Sequence, residues 1–169
     1  DVLVIGSDSG CFSIIDFESS TSAPQILHCP AFGKAGIRRD TPGQYLGVDP
    51  RGRACMVASI EKRKLVYVVH RDSAGKVTLA SPLEAHRPRT LVFDLVGVDN
   101  GYDNPIFACL EVQYEEYEDL VLAEKKRREE GSSGGEDIPV GGPGDGFTKQ
   151  LAYYELDLGL NHVSRRWAT

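Results

Sequence analysis

Cys11, Cys29, Cys55 and Cys109 are the only thiols in this chain, and His28, His70, His86 and His162 the only imidazoles. A zinc site needs closely spaced ligands, such as a C-x-x-C pair or two histidines four residues apart on one helix face. Neither spacing occurs. Three of the cysteines sit inside apolar strand-like runs, which reads as buried free thiols in a reducing compartment. Asp99, Asp103 and Asn104 offer oxygen ligands to a cation, but such residues are also the ordinary material of a turn between strands. In "GSDSG" the third residue is Asp8, where a nucleophile elbow needs serine, so the stretch reads as a hairpin turn. The glycine-rich "GSSGGEDIPVGGPGDG" lacks a Gly-Lys-Ser/Thr ending and no strand feeds it, so it is not a phosphate-binding loop. No acid and base stand out as a pair. The expectation is no catalytic residue, no metal and no cofactor in this segment.

The elements around these residues are short and apolar, with turn residues between them. Val2–Ile5 is followed by "GSDSG", then Phe12–Phe17 and Pro24–Cys29. Tyr45–Val48 leads through "DPRG" to Ala54–Ile60, "EKRK" precedes Leu65–His70, and "RDSAGK" precedes Val77–Ala80. Thr90–Val98, Ile106–Val112, Leu151–Leu158 and His162–Trp167 complete the series. Short strands punctuated by Gly, Pro, Asp and Asn predict an all-β fold. Leu65–Val69 and Ile106–Leu110 are apolar at every position. Successive strand residues point to opposite faces, so both faces of these strands must be covered.

The order of strands and turns repeats. The segments starting at Tyr45 and Leu91 lie about 46 residues apart, near the period of a four-stranded propeller blade. Stacked blades also cover both faces of a strand. The reading is a partial β-propeller of about two and two-thirds WD40-like blades, each a four-stranded antiparallel sheet. Residues 1–31 would be a partial blade, 45–80 one blade and 90–169 another. A charged, Gly-rich insertion at 114–147 would interrupt the last, with any helix confined to 117–130.

The net charge of −6 over 169 residues argues against bulk attraction to nucleic acid. No apolar run approaches the roughly 20 residues of a membrane span. The chain opens inside a strand-like run with no signal-peptide pattern, as a cut through a longer polypeptide would. In a four-stranded meander, the turns between second and third strands share one end with the blade-to-blade loops. That end would gather Lys34, Arg38, Arg39, Lys62, Arg63, Lys64, Arg87 and Arg89, a basic surface suited to an acidic protein partner. The other end carries "DPRG", "DNGYDN" and "DLGLN" and is more acidic.

The segments "SPLEAHRPRTLV", "NPIFACLE" and "YELDLGLNHV" carry a resemblance. With the sequence from "VIGSDSG" to "NHVSRR", they resemble the first β-propeller of the splicing factor 3b propeller-subunit family, the third subunit of that complex. The resemblance implies a three-propeller, non-enzymatic scaffold of the U2 small nuclear ribonucleoprotein, located in the nucleus and acting in pre-mRNA splicing. It implies the HEAT-repeat subunit and a small helical subunit of splicing factor 3b as partners, beside the other propellers of the same chain. Little or no direct contact with nucleic acid and none with a membrane is implied. Two related scaffolds stay open as alternatives. They are the large subunit of damaged-DNA-binding protein, in ubiquitin ligation, and the largest subunit of cleavage and polyadenylation specificity factor. A propeller enzyme with its catalytic residues outside this segment is the third alternative. The insertion is longer and more charged than the family pattern, so nothing carries over to it.

Overall fold

The computed structural model describes residues 2–17, 20–29, 39–99, 101–114, 122, 125–126 and 149–168. Among these residues twelve strands follow in order: β1 (Val2–Gly6), β2 (Phe12–Phe17), β3 (Pro24–His28), β4 (Tyr45–Val48), β5 (Ala54–Ala58) and β6 (Lys64–Arg71). Then come β7 (Val77–Leu79), β8 (Leu83–Glu84), β9 (Thr90–Val98), β10 (Ile106–Gln113), β11 (Gln150–Asp157) and β12 (His162–Ala168). Leu122, Lys125 and Lys126 are the only helical residues among those described. Among the described residues, no helix is long and apolar enough to cross a membrane.

The strands form three antiparallel sheets in chain order, β1-β2-β3, β4-β5-β6-β7 and β9-β10-β11-β12. The outer strand of the middle sheet comes in two pieces. β7 pairs the far half of β6, and β8 pairs Leu65 and Val66 at its near half. β8 lies inside the segment 81–89 that reads as a plain connecting loop in the sequence. Within the first sheet, β1 ends at Gly6 against Gly43, just ahead of β4. Val2, at the start of β1, lines the same cavity as Val48 at the end of β4. β1 therefore runs opposite to β4, as β5 does.

Strand periodicity explains how the sheets stack. On β5, Ala54, Met56 and Ala58 belong to a core shared with the third sheet, while Cys55 and Val57 belong to a core shared with the first. On β6, Val66 and Val68 face the third sheet, and Leu65 and Tyr67 the first. The unbroken apolar run Leu65–Val69 thus belongs to a strand with a core on each side, whereas in Ile106–Leu110 it is Phe107 and Cys109 that join the core shared with the middle sheet. Each fully buried Val, Leu or Met contributes about 1.5–3 kcal/mol. Where β4 and β9 approach, side chains are excluded altogether. A Cβ on Gly97 would stand 1.9 Å from the Val48 carbonyl oxygen, and Gly47 lies against the Gly97 amide. Glycine on both strands is what allows this backbone contact.

Candidate protein-interaction site

The turns between second and third strands and the blade-to-blade connections meet at one end of the sheets. Arg39 O accepts the backbone N–H of Glu61 and of Lys62, both at 3.0 Å. Val92 N–H donates to Ile60 O, and Tyr114 N–H to Arg89 O. Arg39, Lys62, Arg63, Arg87 and Arg89 therefore share this end, and Lys34 and Arg38 lie outside the described residues. Much of the charge is neutralised locally. Arg39 pairs with Glu61 at 2.5 Å and Lys62 faces Asp40 at 3.6 Å. The Tyr114 hydroxyl also donates to Glu61. That hydrogen bond, with the Arg39 guanidinium, holds the Glu61 carboxyl below its ordinary value against the opposing effect of burial. Arg63 and Arg87 are exposed and make no ion pair among the described residues.

Lys64 does not belong to this surface. Its side chain is 2% exposed, because β6 begins one residue earlier than the charged run suggests. Lys64 shares strand parity with Val66 and Val68, so it points at the third sheet. There its Nζ lies 2.5 Å from Glu111 Oε2 and donates to the Tyr154 hydroxyl at 2.6 Å. Tyr154 donates in turn to Glu111 Oε2 at 3.0 Å. Arg165, directly opposite Tyr154 in the β11–β12 ladder, donates to Glu111 Oε1 from Nε at 3.0 Å. Glu111 itself is fully buried. Burial and the Glu111 charge push the Tyr154 phenol far above its ordinary range, so it stays neutral. Lys64, Glu111 and Tyr154 are buried, Arg165 closes the cluster from its partly exposed side, and every member has a partner, as a buried ionic network requires. What it can do is lock one blade against the next.

The opposite end is also cross-braced. Arg53 holds the buried Asp49 through Nε at 2.8 Å and a second nitrogen at 2.9 Å, and donates as well to the Asp103 carbonyl. Burial pushes the Asp49 carboxyl up, but the Arg53 hydrogen bonds and charge outweigh it and leave Asp49 below its ordinary value. Arg166 and Asn104 do the same for Glu155, from 2.5 Å and 2.7 Å. The acidic turns of the sequence are therefore largely structural. Among the described residues, no group of His, Cys, Asp or Glu has the arrangement of a metal site. The thiols of Cys55 and Cys109 are buried and pushed up to about 12 by that burial, so they are inert. Cys11 is half-buried, and Cys29 is exposed rather than buried with the others.

The whole chain, residues 1–169, matches the family described as RSE1/DDB1/CPSF1 first beta-propeller. It is 48% identical over 99% of its length to the pre-mRNA-splicing factor rse1 of Emericella nidulans. It is 45% identical over 99% of its length to splicing factor 3B subunit 3 of Danio rerio. Identity to spliceosome-associated protein 130 A of Arabidopsis thaliana is 44% over the same share. The chain spans 12% of the length of each of these relatives. Three stacked antiparallel sheets and this full-length match together establish that the chain belongs to the RSE1/DDB1/CPSF1 first-propeller family.

Proposed function

We propose that this chain is part of a propeller scaffold of a splicing factor 3b complex in the U2 small nuclear ribonucleoprotein, acting in pre-mRNA splicing in the nucleus. The observation that carries this reading is the 44–48% identity, over 99% of the chain, to proteins named as splicing factors in a fungus and a fish and as a spliceosome-associated protein in a plant. The scaffold role is non-enzymatic. It is supported by where the charged residues go: Lys64, Glu111, Asp49 and Arg53 are spent on joining strands and blades, and so brace a rigid disc that presents loops. The partners under this reading are a HEAT-repeat subunit and a small helical subunit of the complex, with the remaining propellers of the same polypeptide. The basic end, where Arg63 and Arg87 make no ion pair among the described residues and stand beside Arg39, Lys62 and Arg89, is the surface offered to an acidic protein partner. Lys34 and Arg38 belong to the same proposal through their place in the 32–44 connection.

Affinity purification of the full-length protein from nuclear extract tests this. Splicing factor 3b subunits in stoichiometric amounts are the expected outcome. A cullin with ubiquitin-ligase components, or polyadenylation factors, in their place would assign the protein to one of the sibling scaffolds. Turnover by the purified protein with a bound metal or quinone would overturn the non-enzymatic reading.

A further inference from the structure

The segment "YELDLGLNHV" holds more than a hairpin needs. The turn between β11 and β12 is fixed by Asp157, whose Oδ1 accepts the backbone N–H of Gly159 and of Leu160, both at 2.9 Å. Asn161 closes it at φ +51°. The side chain this turn holds out is Leu160, 78% exposed. Turn tips favour glycine and polar residues, and a leucine in water gains nothing on folding. The adjoining turn between β9 and β10 holds out Tyr102, 69% exposed. Asn104 binds the two turns together, donating to Glu155 Oε1 at 2.7 Å and accepting from Leu158 N–H at 3.2 Å. The preceding blade joins the same platform, because Arg51 donates to the Tyr102 carbonyl at 3.4 Å and Arg53 to that of Asp103.

The platform also has a sign. Asp49–Arg53 and Glu155–Arg166 are closed pairs that cancel. Asp99, Asp103 and Asp157 remain, so that among the described residues of these turns three carboxylates are left against the one further cation Arg51, 3.6 Å from Asp99, while Arg53 and Arg166 are already paired with Asp49 and Glu155. An acidic surface repels phosphate, which sets this end apart from one built for nucleic acid or an anionic membrane.

We propose that this end of the two blades is a docking surface for a segment of another protein. Tyr102 is the principal apolar anchor and Leu160 the second. The aspartates select a partner whose apolar residues are flanked by Lys or Arg. Tyrosine is enriched among residues that dominate binding energy, and a platform already braced by hydrogen bonds loses little freedom when it binds. The proposal does not depend on which complex the protein serves.

The test uses the full-length protein with a photo-crosslinking benzoylphenylalanine at position 160. The expected result is one discrete adduct, mapped to a peptide of a different chain in which an apolar residue has Lys or Arg within a few positions. Tyr102→Ala with Leu160→Ser, in the full-length protein, should then weaken binding of that partner about tenfold or more with an unchanged melting profile. An adduct with RNA, lipid, a second copy or the same polypeptide would overturn the proposal, as would no adduct. So would a double variant that binds the crosslinked partner as tightly as the original. If the double variant melts early, the adduct's identity decides alone, since that measurement needs no truncated side chain.

Discussion

Replacing Glu111 by Gln should damage the protein more than replacing its partner Lys64 by Met. Glu111 accepts from Lys64, Tyr154 and Arg165. When Lys64 is lost, Arg165 still neutralises the carboxylate, and the cost is that of one charged hydrogen bond, about 1.5–3 kcal/mol. When the carboxylate is lost, the two cations differ. Arg165 is 16% exposed and can turn toward water, but Lys64 is 2% exposed and keeps only neutral acceptors, the Tyr154 hydroxyl and the amide oxygen of the new glutamine. Leaving a buried charge uncompensated costs about 3–5 kcal/mol. The readout is amide hydrogen exchange of β6, β10 and β11 in the full-length protein, which reports opening of these strands without requiring a single two-state transition. With each 1.4 kcal/mol worth about tenfold, exchange should quicken more than roughly a hundredfold in Glu111→Gln and about ten- to a hundredfold in Lys64→Met. Combining the two should recover part of the loss, since the stranded lysine is gone. If Glu111→Gln were no worse than Lys64→Met, or if both fell under tenfold, the cluster would not be what joins these blades.

Gly97→Ala places a Cβ 1.9 Å from the Val48 carbonyl oxygen and should force β4 and β9 apart, at a cost of about 3 kcal/mol read by the same exchange measurement. Asp49, Glu61 and Glu155 have folded-state pKa values below their ordinary ones, so the stability they supply is complete above about pH 4–5 and is lost as the pH falls through the lower folded values. Acid unfolding followed by circular dichroism should show that loss, and Arg53→Ala should reduce stability at pH 7 while shrinking its fall toward pH 2. Arg63→Glu with Arg87→Glu, both exposed, should leave the fold intact and slow association with splicing factor 3b partners at low salt, an effect that fades as salt rises. Unchanged assembly at low salt would remove the basic end as a docking surface.

The strands were legible because the strand period is short and the cores lie on both sides. Met56 and Val57 are neighbours in sequence but belong to different cores, and an unbroken apolar run of five is what that requires. The turns were legible for a separate reason. Asp49, Asp72 and Asp157 each accept hydrogen bonds from backbone N–H groups two to four residues ahead, which is local chemistry and needs no knowledge of the fold. β8 was not legible. Pro82 stands at its entrance and only Leu83 and Glu84 pair. Its existence depends on the stretch of β6 that β7 leaves open, which is a tertiary fact.

The charged residues divide along the same line. "EKRKLVY" looks like a charged turn running into a strand, and a count of lysines and arginines assigns all of its cations to one surface. The strand period already argues otherwise for Lys64, which shares a face with Val66 and Val68, as Glu111 does with Phe107 and Cys109. That parity marks each residue as a buried charge in need of a partner, but it cannot name the partner across the 47 residues that separate them. The same limit applies at the surface. Arg39 and Lys62 read as free cations until Glu61 and Asp40 are brought beside them, whereas Arg63 and Arg87 make no ion pair among the described residues. A binding surface on this fold is therefore what remains after neighbouring strands and turns have claimed their own ionic partners. By the same reasoning Leu160, 78% exposed on a turn whose Asp157 carboxylate already binds the backbone, marks a partner's place as clearly as any cation does, beside the 69% exposed ring of Tyr102.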